Sequence, residues 1–212
     1  MVWLRLFVVL VPCILAGCAQ GVIDTSHSFN MVVLDAGHGG FDSGATSRYA
    51  GREKDHTLSV IRRLQPKLEA AGFKTLLTRS DDTFIPLETR SQISSRQNNA
   101  IFVSVHFNDS PNRSVHGVEV YYKSRCSQSL ASNVLKQLSS LPAVADRGVH
   151  TANFHVLRRN RFPAILVECG FLSNPAEGRR CATGAFQEAA AGAILRGLTT
   201  QRYGGAELMA GR

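Results

Sequence analysis

Three features are absent from this 212-residue sequence: internal repeats, low-complexity tracts, and an apolar run of the roughly 20 residues that a membrane-spanning helix needs. The absence of repeats excludes a solenoid protein. A composition of 44% apolar and 19% charged residues is typical of a globular protein and excludes a disordered chain. At this length we expect one domain, with a core large enough to fold without disulfides.

Acidic residues are also in short supply, since 16 Asp and Glu stand against 24 Lys and Arg and give a formal net charge of +8. A basic balance favours anionic partners such as nucleic acid, anionic lipid or an acidic wall polymer. The basic residues are scattered, and the sequence shows neither a basic stripe interleaved with aromatic residues nor a nucleic-acid-binding motif. We therefore interpret the charge as a solvated surface and predict no nucleic-acid partner.

The amino terminus combines Arg5 with a short apolar run, which is typical of an export signal. The run ends in Leu15-Ala-Gly-Cys18, which resembles a bacterial lipobox and implies a lipid on Cys18. We expect residues 1–17 to be a signal peptide and residues 18–30 to be the lipidated cysteine and a short linker. The mature protein would then be an exported lipoprotein that faces the periplasm or cell wall. Ala19 favours the outer membrane if the cell has two membranes.

Cysteines are few, and their spacing matches no metal-binding pattern. Two of the five lie in the amino-terminal segment, which leaves Cys126, Cys169 and Cys181. An odd number of cysteines cannot all pair, so at most one disulfide is possible and its partners stay open. Cys169 follows Glu168 in a predicted strand and should point away from it, into the core.

Apolar runs that are typical of strands alternate with segments of helical periodicity from residue 31 to residue 203. This alternation predicts a single layered α/β domain with a mostly parallel or mixed central sheet flanked by helices, followed by a flexible tail at 204–212. Pro66 falls inside the first helical segment and predicts a kink or an early break. The predicted strands are 31–35, 73–78, 101–106, 118–123 and 163–168. The predicted helices are 58–68, with a stop at Gly72, and 86–98, 127–141 and 186–199.

Three metal-capable side chains stand at or just after the ends of predicted strands: His38, His106 and Glu168. In α/β sheets, ligands bind beyond the carboxyl ends of the strands, so we expect the three on one rim. Two histidines and a carboxylate are a common catalytic zinc set, and a further carboxylate can act as general base and acid. From the residues alone, Glu53 or Asp35 could supply the first carboxylate and Glu168 the second.

Several motifs occur in an order that resembles the N-acetylmuramoyl-L-alanine amidases of the AmiA/AmiB/AmiC type, with a match from about Met31 to Tyr203. The motifs are Leu34-Asp-Ala-Gly-His-Gly-Gly-Phe-Asp-Ser-Gly44, Glu53-Lys-Asp55, Leu77-Thr-Arg79, Ser104-Val-His-Phe-Asn108 and Val167-Glu-Cys-Gly-Phe-Leu-Ser-Asn-Pro175. Several separated motifs in order are more specific than any one of them.

The resemblance implies that His38, Glu53 and His106 bind Zn²⁺ and that Glu168 is the catalytic glutamate. It also implies the substrate, peptidoglycan. The bond would be the amide between the lactyl group of N-acetylmuramic acid and L-alanine of the stem peptide, cut during wall remodelling or daughter-cell separation. His155 is the reserve candidate for substrate contact. Asp35 is expected to bond the glycine loop or a ligating imidazole.

Two other functions remain open at this stage. One is a zinc carboxypeptidase or endopeptidase that acts on the stem peptide, and the other is a non-catalytic lipoprotein that binds peptidoglycan. Some amidases of this type carry an extra helix that covers the zinc. Here only residues 142–153 separate the predicted helix 127–141 from the motif at 154–157, which is too short for an added helix. We therefore expect an open groove and no required activator protein.

Overall fold

A mixed six-stranded sheet forms the centre of the structure, a computed structural model that describes residues 21–204. The strands of this sheet are β1 (Met31–Ala36), β4 (Lys74–Leu77), β5 (Ala100–Asn108), β6 (Val118–Tyr122), β7 (Asp146–Thr151) and β8 (Ala164–Phe171). A small hairpin contains β2 (Thr46–Ser47) and β3 (Gly51–Arg52). The helices are α1 (Glu53–Ala70), α2 (Leu87–Ser95), α3 (Gln128–Ser139), α4 (His155–Arg158), α5 (Pro175–Cys181) and α6 (Gly184–Tyr203).

The strand order in the sheet is β4-β1-β5-β8-β6-β7. The first four strands are parallel, β6 runs antiparallel to β8, and β7 runs parallel to β6. This arrangement confirms the predicted α/β fold with a mixed sheet. Because the carboxyl ends of β1, β5 and β8 lie at the same edge, the side chains that follow or end these strands are brought together there.

Both faces of the sheet are covered, which explains why its central strands are apolar at nearly every position. Val32 and Leu34 face a core that α1, α3 and α6 complete, whereas Val33 and Phe102 face a smaller core closed by α4. Successive residues of a strand point to opposite faces, so one short strand contributes to both cores. Cys169 lies fully buried in the larger core, as expected, and Cys126, Cys169 and Cys181 are free thiols.

Helix α1 passes through Pro66 without interruption and ends at Ala70, so the expected early break is wrong. A proline in a helix removes one hydrogen bond to the carbonyl four residues earlier, here that of Arg62. Both Pro66 and Arg62 are exposed, so water can satisfy the freed carbonyl. Leu64 and Leu68, which are fully buried, keep the last turns of the helix on the core.

Five elements were not predicted from the sequence: β2, β3, β7, α4 and α5. Strand β7 lies at the sheet edge with most of its residues exposed, and its sequence DRGVHT lacks the apolar alternation that marks a half-buried strand. Helix α5 has only seven residues, yet its start was signalled in the sequence. The Asn174 side chain caps it by accepting from the N–H groups of Ala176 and Glu177, and Pro175 occupies its first turn.

The interpretation of residues 18–30 as a linker is wrong at its carboxyl end, because residues 25–30 pack on the domain. Phe29 is fully buried and stacks on Phe73, with ring centroids 5.5 Å apart. The Thr25 hydroxyl donates to the Ala100 carbonyl, and Arg202 Nε donates to the Phe29 carbonyl at 2.9 Å. Apolar burial and satisfied backbone groups thus tie this segment to the fold.

The remaining amino-terminal predictions fall outside the described residues. The signal peptide at 1–17 and the lipid on Cys18 lie there, as does the tail from residue 205 onward. Within residues 21–204, none of the helices combines the length and hydropathy needed to cross a membrane. Export and lipidation therefore stay predictions.

Candidate active site

Three side chains, His38, Glu53 and His106, converge at the carboxyl ends of β1 and β5, and we call them the His-Glu-His cluster. One ligand atom of each lies within 4.8 Å of the others. His38 Nε2 lies 3.1 Å and His106 Nδ1 2.9 Å from the same atom, Glu53 Oε1. Two imidazole nitrogens and a carboxylate that point at one place, open to a groove, form a donor set that fits a divalent metal ion. The structure thus brings together the three residues predicted as ligands.

The loop after β1 has an unusual backbone that carries the first histidine. His38 has φ of 61°, in the left-handed region that non-glycine residues rarely adopt, and Gly39 has φ of 128°. A Cβ at Gly37 would lie 2.3 Å from the His106 ring, and one at Gly44 would lie 2.5 Å from Glu53 Oε2. Only glycine leaves space at these two positions, so the loop can approach both other members of the cluster.

Two buried arginines hold this loop by its carbonyl oxygens. Arg90 donates to the Ala36 and His38 carbonyls, each at 2.6 Å. Arg79 donates to the Gly37 carbonyl at 2.8 Å. These hydrogen bonds satisfy backbone carbonyls that would otherwise be buried without partners, and they stabilise the strained conformation of the loop.

Asp35 has a different role from the one expected, because it bonds neither an imidazole nor the glycine loop. Its carboxylate lies 2.7 Å from Arg90 Nη1 and accepts from the hydroxyls of Thr78 and Ser104, each at 2.6 Å. Burial alone would raise the pKa of Asp35, but the Arg90 guanidinium and these hydrogen bonds outweigh it and hold the pKa below its usual range. Asp35 thus anchors Arg90, which in turn holds the loop.

Asp42 takes the position behind His38 that was assigned to Asp35. Asp42 Oδ2 is hydrogen-bonded to His38 Nδ1 at 2.9 Å, and Asp42 Oδ1 accepts from the Gly44 N–H at 3.1 Å. A carboxylate behind a ligating histidine fixes the ring and leaves its other nitrogen for the metal. The sequence signal was a carboxylate four residues after the histidine, within the glycine loop.

Glu53 is the first residue of α1, and both of its carboxylate oxygens are fixed. Oε2 accepts from the Ala45 N–H at 2.8 Å, and Oε1 accepts from the Phe107 N–H at 3.0 Å. Burial would raise the pKa of Glu53, but hydrogen bonds from His106 and His38 outweigh it and hold the pKa far below its usual range. The carboxylate is therefore ionised, as a metal ligand has to be.

Glu168 is the β8 residue that pairs with His106 of β5, and it lines the same groove as the cluster. Its Oε2 is buried and has no hydrogen-bond partner among the described residues. Burial raises the pKa of Glu168 well above its usual value, and the carboxylates of Glu53 and Glu119 raise it further. A carboxyl group with a raised pKa that lines the same groove as a possible metal site is suited to proton transfer.

A groove of about 770 Å³ contains the cluster and Glu168. Its size is that of a small-molecule or cofactor site. Phe84, Leu87 and Phe154 line it on the apolar side, together with His155, whose Nε2 lies 2.8 Å from Glu88 Oε2. His155 therefore lines the groove, and its contact with substrate stays a prediction.

No helix covers the cluster from the segment between α3 and α4. In residues 140–154 the structure describes β7 with its flanking turns and no helix. The side chains of His38 and His106 keep 21% and 19% of their surface exposed. The predicted absence of an occluding helix thus holds for this part of the chain.

Comparisons with known proteins point to one family. A family model for N-acetylmuramoyl-L-alanine amidase matches residues 32–200. The fold is similar to N-acetylmuramoyl-L-alanine amidase AmiC2 of Nostoc punctiforme, with 38% identity, a TM-score of 0.77, and coverage of 80% of this chain and 95% of that chain. It is also similar to the CwlD amidase from Clostridioides difficile in complex with the GerS lipoprotein, with 30% identity, a TM-score of 0.77, and coverage of 81% and 98%.

A sequence relative gives the same result over a shorter stretch. The probable cell wall amidase LytH of Staphylococcus aureus is 34% identical over 148 residues, which cover 69% of this chain and 49% of LytH. The matched region therefore spans about half the length of that relative.

Proposed function

The chain belongs to the N-acetylmuramoyl-L-alanine amidase family, and from this we propose that it hydrolyses the amide between the lactyl group of N-acetylmuramic acid and L-alanine of the peptidoglycan stem peptide. The observation that carries the proposal is the convergence of His38, Glu53 and His106 in one groove with Glu168. A decayed, purely wall-binding scaffold has no need for all four of these side chains.

Zn²⁺ is the ion that we propose for the His-Glu-His cluster, because two imidazoles and one carboxylate with an open position are a catalytic zinc donor set. When bound, the ion supplies Lewis acidity toward the scissile carbonyl and acidifies water. Asp42 holds the His38 ring in the orientation that this requires, and Arg90 holds the backbone that carries the ring. The site is therefore preorganised before substrate arrives.

Glu168 moves the proton in this mechanism. Its carboxylate, which lines the same groove as the cluster, takes a proton from the attacking water. The same carboxyl group then returns the proton to the leaving nitrogen of L-alanine. Because its pKa is raised toward neutral pH, the Glu168 carboxyl group can serve both as base and as acid.

Product analysis tests the bond that is cut. The purified, metal-loaded protein alone is incubated with peptidoglycan, and the products are identified by mass spectrometry with and without a chelator. We expect intact stem peptides with a new N-terminal alanine and glycan strands free of peptide. Fragments shortened from the carboxyl end of the peptide would establish the peptidase alternative instead.

The same digestion tests whether a partner is needed. We propose that the protein is active alone, because residues 140–154, between α3 and α4, contain no helix that could cover the cluster. The relative CwlD is known in complex with the GerS lipoprotein, so partner dependence is a real alternative. Release of peptides only after a second protein is added would contradict this part of the proposal.

We also propose that the protein acts outside the cytoplasm, held to a membrane by a lipid on Cys18, because Leu15-Ala-Gly-Cys18 follows an apolar run. Cys18→Ser should move the protein from the membrane fraction to the soluble fraction after export. Several acyl chains on one cysteine hold a protein firmly, whereas a single chain binds only marginally. An unchanged membrane fraction would mean that a different feature holds the protein there.

A further inference from the structure

Large apolar side chains lie exposed along one rim of the groove. Phe41 exposes 83% of its surface, Leu87 57% and Phe154 42%. The Phe41 ring lies on the ring of Phe84, with centroids 4.2 Å apart and planes inclined by 33°. We call these four residues the apolar rim. Exposed apolar clusters on a soluble domain mark contact surfaces, because these side chains contribute little to the core.

The apolar rim is continuous with the candidate active site. Phe84, Leu87 and Phe154 line the same groove as Glu168. Phe41 lies next to Asp42, which bonds the ring of His38. A ligand that lies on the rim therefore extends directly to the reacting groups.

The fold holds Phe41 out from the surface by a fixed turn. The N–H of Gly39 donates to the Asp42 carbonyl at 2.9 Å, and the N–H of Asp42 donates back to Gly39 at 3.1 Å. Buried Lys54 donates to the Gly40 carbonyl at 2.6 Å. The exposure of Phe41 is thus imposed by hydrogen bonds on both sides of it and is not a consequence of a loose loop.

The size and chemistry of the rim decide what it binds. Four partly exposed side chains of this size present roughly 400 Å², about half of the ~800 Å² that each partner buries in a stable protein interface. A pyranose sugar suits such a surface, because its flat C–H face stacks on the electron-rich face of an aromatic ring. Peptidoglycan strands present such sugars on either side of each muramic acid.

We propose that the apolar rim binds the glycan strand of peptidoglycan, on the sugars next to the muramic acid whose amide is cut. This inference rests on the proposed function. Phe154 and Leu87 contact the sugars nearest to Glu168, and the Phe41–Phe84 pair extends the contact along the strand. The rim selects polymeric wall material over small muramoyl peptides.

Binding of peptide-free glycan strands tests the rim without any need for catalysis. In a Glu168→Gln background, Phe41→Ala and Phe154→Ala should each raise the Kd for these strands about threefold to tenfold, the loss expected for one aromatic contact. The control is Tyr203→Ala, at an aromatic residue at the end of α6 whose exposure (39%) matches that of Phe154. Unchanged binding by the rim variants, or an equal loss in the control, would overturn the proposal.

A second test measures KM in protein that keeps Glu168 and is therefore active. Phe41→Ala should raise KM for long-strand peptidoglycan by the same factor, with little change in KM for a muramoyl peptide that lacks neighbouring sugars. An equal rise on both substrates would show that the rim does not contact the strand. If the protein cleaves neither substrate, the proposed function fails, and the binding experiment still decides the role of the rim.

Discussion

Replacement of His106 by alanine is expected to remove the bound metal and to lower hydrolysis about 10³-fold or more, because several kcal/mol of transition-state stabilisation come from the ion. The wild-type protein should hold about one zinc per chain, and a chelator should reproduce the loss. Elemental analysis of the purified variants gives the metal content, and peptide release from peptidoglycan gives the rate. Full zinc occupancy in a His38→Ala/His106→Ala double variant would refute the assignment of the ligands.

A glycine substitution should also weaken metal binding, although it leaves all three proposed ligands in place. Gly37→Ala places a Cβ 2.3 Å from the His106 ring, so the ring or the loop has to move. We expect weaker metal retention and a lower rate although every ligand is present, since small displacements of reacting groups have large effects. Gly192→Ala in α6 is the control, because its nearest neighbour lies at 3.5 Å. Equal metal content in the two variants would show that the loop adapts to the added methyl group.

Glu168→Gln should keep the fold and the metal yet lose activity on the order of 10²–10⁴-fold, the usual loss when a general acid–base is removed. Glutamine has nearly the same shape but can neither take the proton from water nor return it. Zinc content, the circular dichroism spectrum and the rate of peptide release are measured on the same preparation. Glu188→Gln, at a half-exposed helical glutamate, is the matched control.

A loss of zinc from the Glu168→Gln variant would separate the two roles that a carboxylate can have in such a site. It would make Glu168 a ligand, and the assignment of proton transfer would be wrong. Retained zinc with normal activity would exclude Glu168 from the chemistry altogether.

The central strands were predictable because both of their faces are buried. Residues such as Val32, Val33 and Ile101 lie in a core whichever way they point, and this produces an uninterrupted apolar run in the sequence. Strand β7 could not be found in this way, because an edge strand is stabilised by pairing with β6 and needs no apolar pattern. Local sequence does not encode a partner strand that lies far away in the chain.

The site was only partly predictable for a related reason. Strand ends indicated His38, His106 and Glu168, but the residues alone did not decide between Glu53 and Asp35. Glu53 enters the site from the first turn of a helix, where its N–H bonds the Ala45 carbonyl, and no strand ends there. The resemblance to amidases supplied the choice of Glu53.

The supporting residues were harder to predict than the cluster. Arg79 and Arg90 act on backbone carbonyls of a loop whose left-handed residue, His38, has no sequence signature of its own. Asp35 stands beside this loop in sequence but turns to Arg90 instead. The contacts of a buried charge depend on the tertiary structure around it, and the spacing of residues alone does not give them.

The packing of residues 25–30 on the domain limits how far above the membrane the enzyme can work. This segment joins the domain where β1, β4 and β5 begin, at the pole opposite the groove. With Cys18 lipidated as proposed, only four residues separate it from Ile23, whose N–H donates to the Arg161 carbonyl at 2.8 Å, and this stretch spans about 17 Å when fully extended. A domain of this size is about 40 Å across. The groove would then face away from the bilayer, and cutting would be confined to glycan roughly 40–60 Å above it.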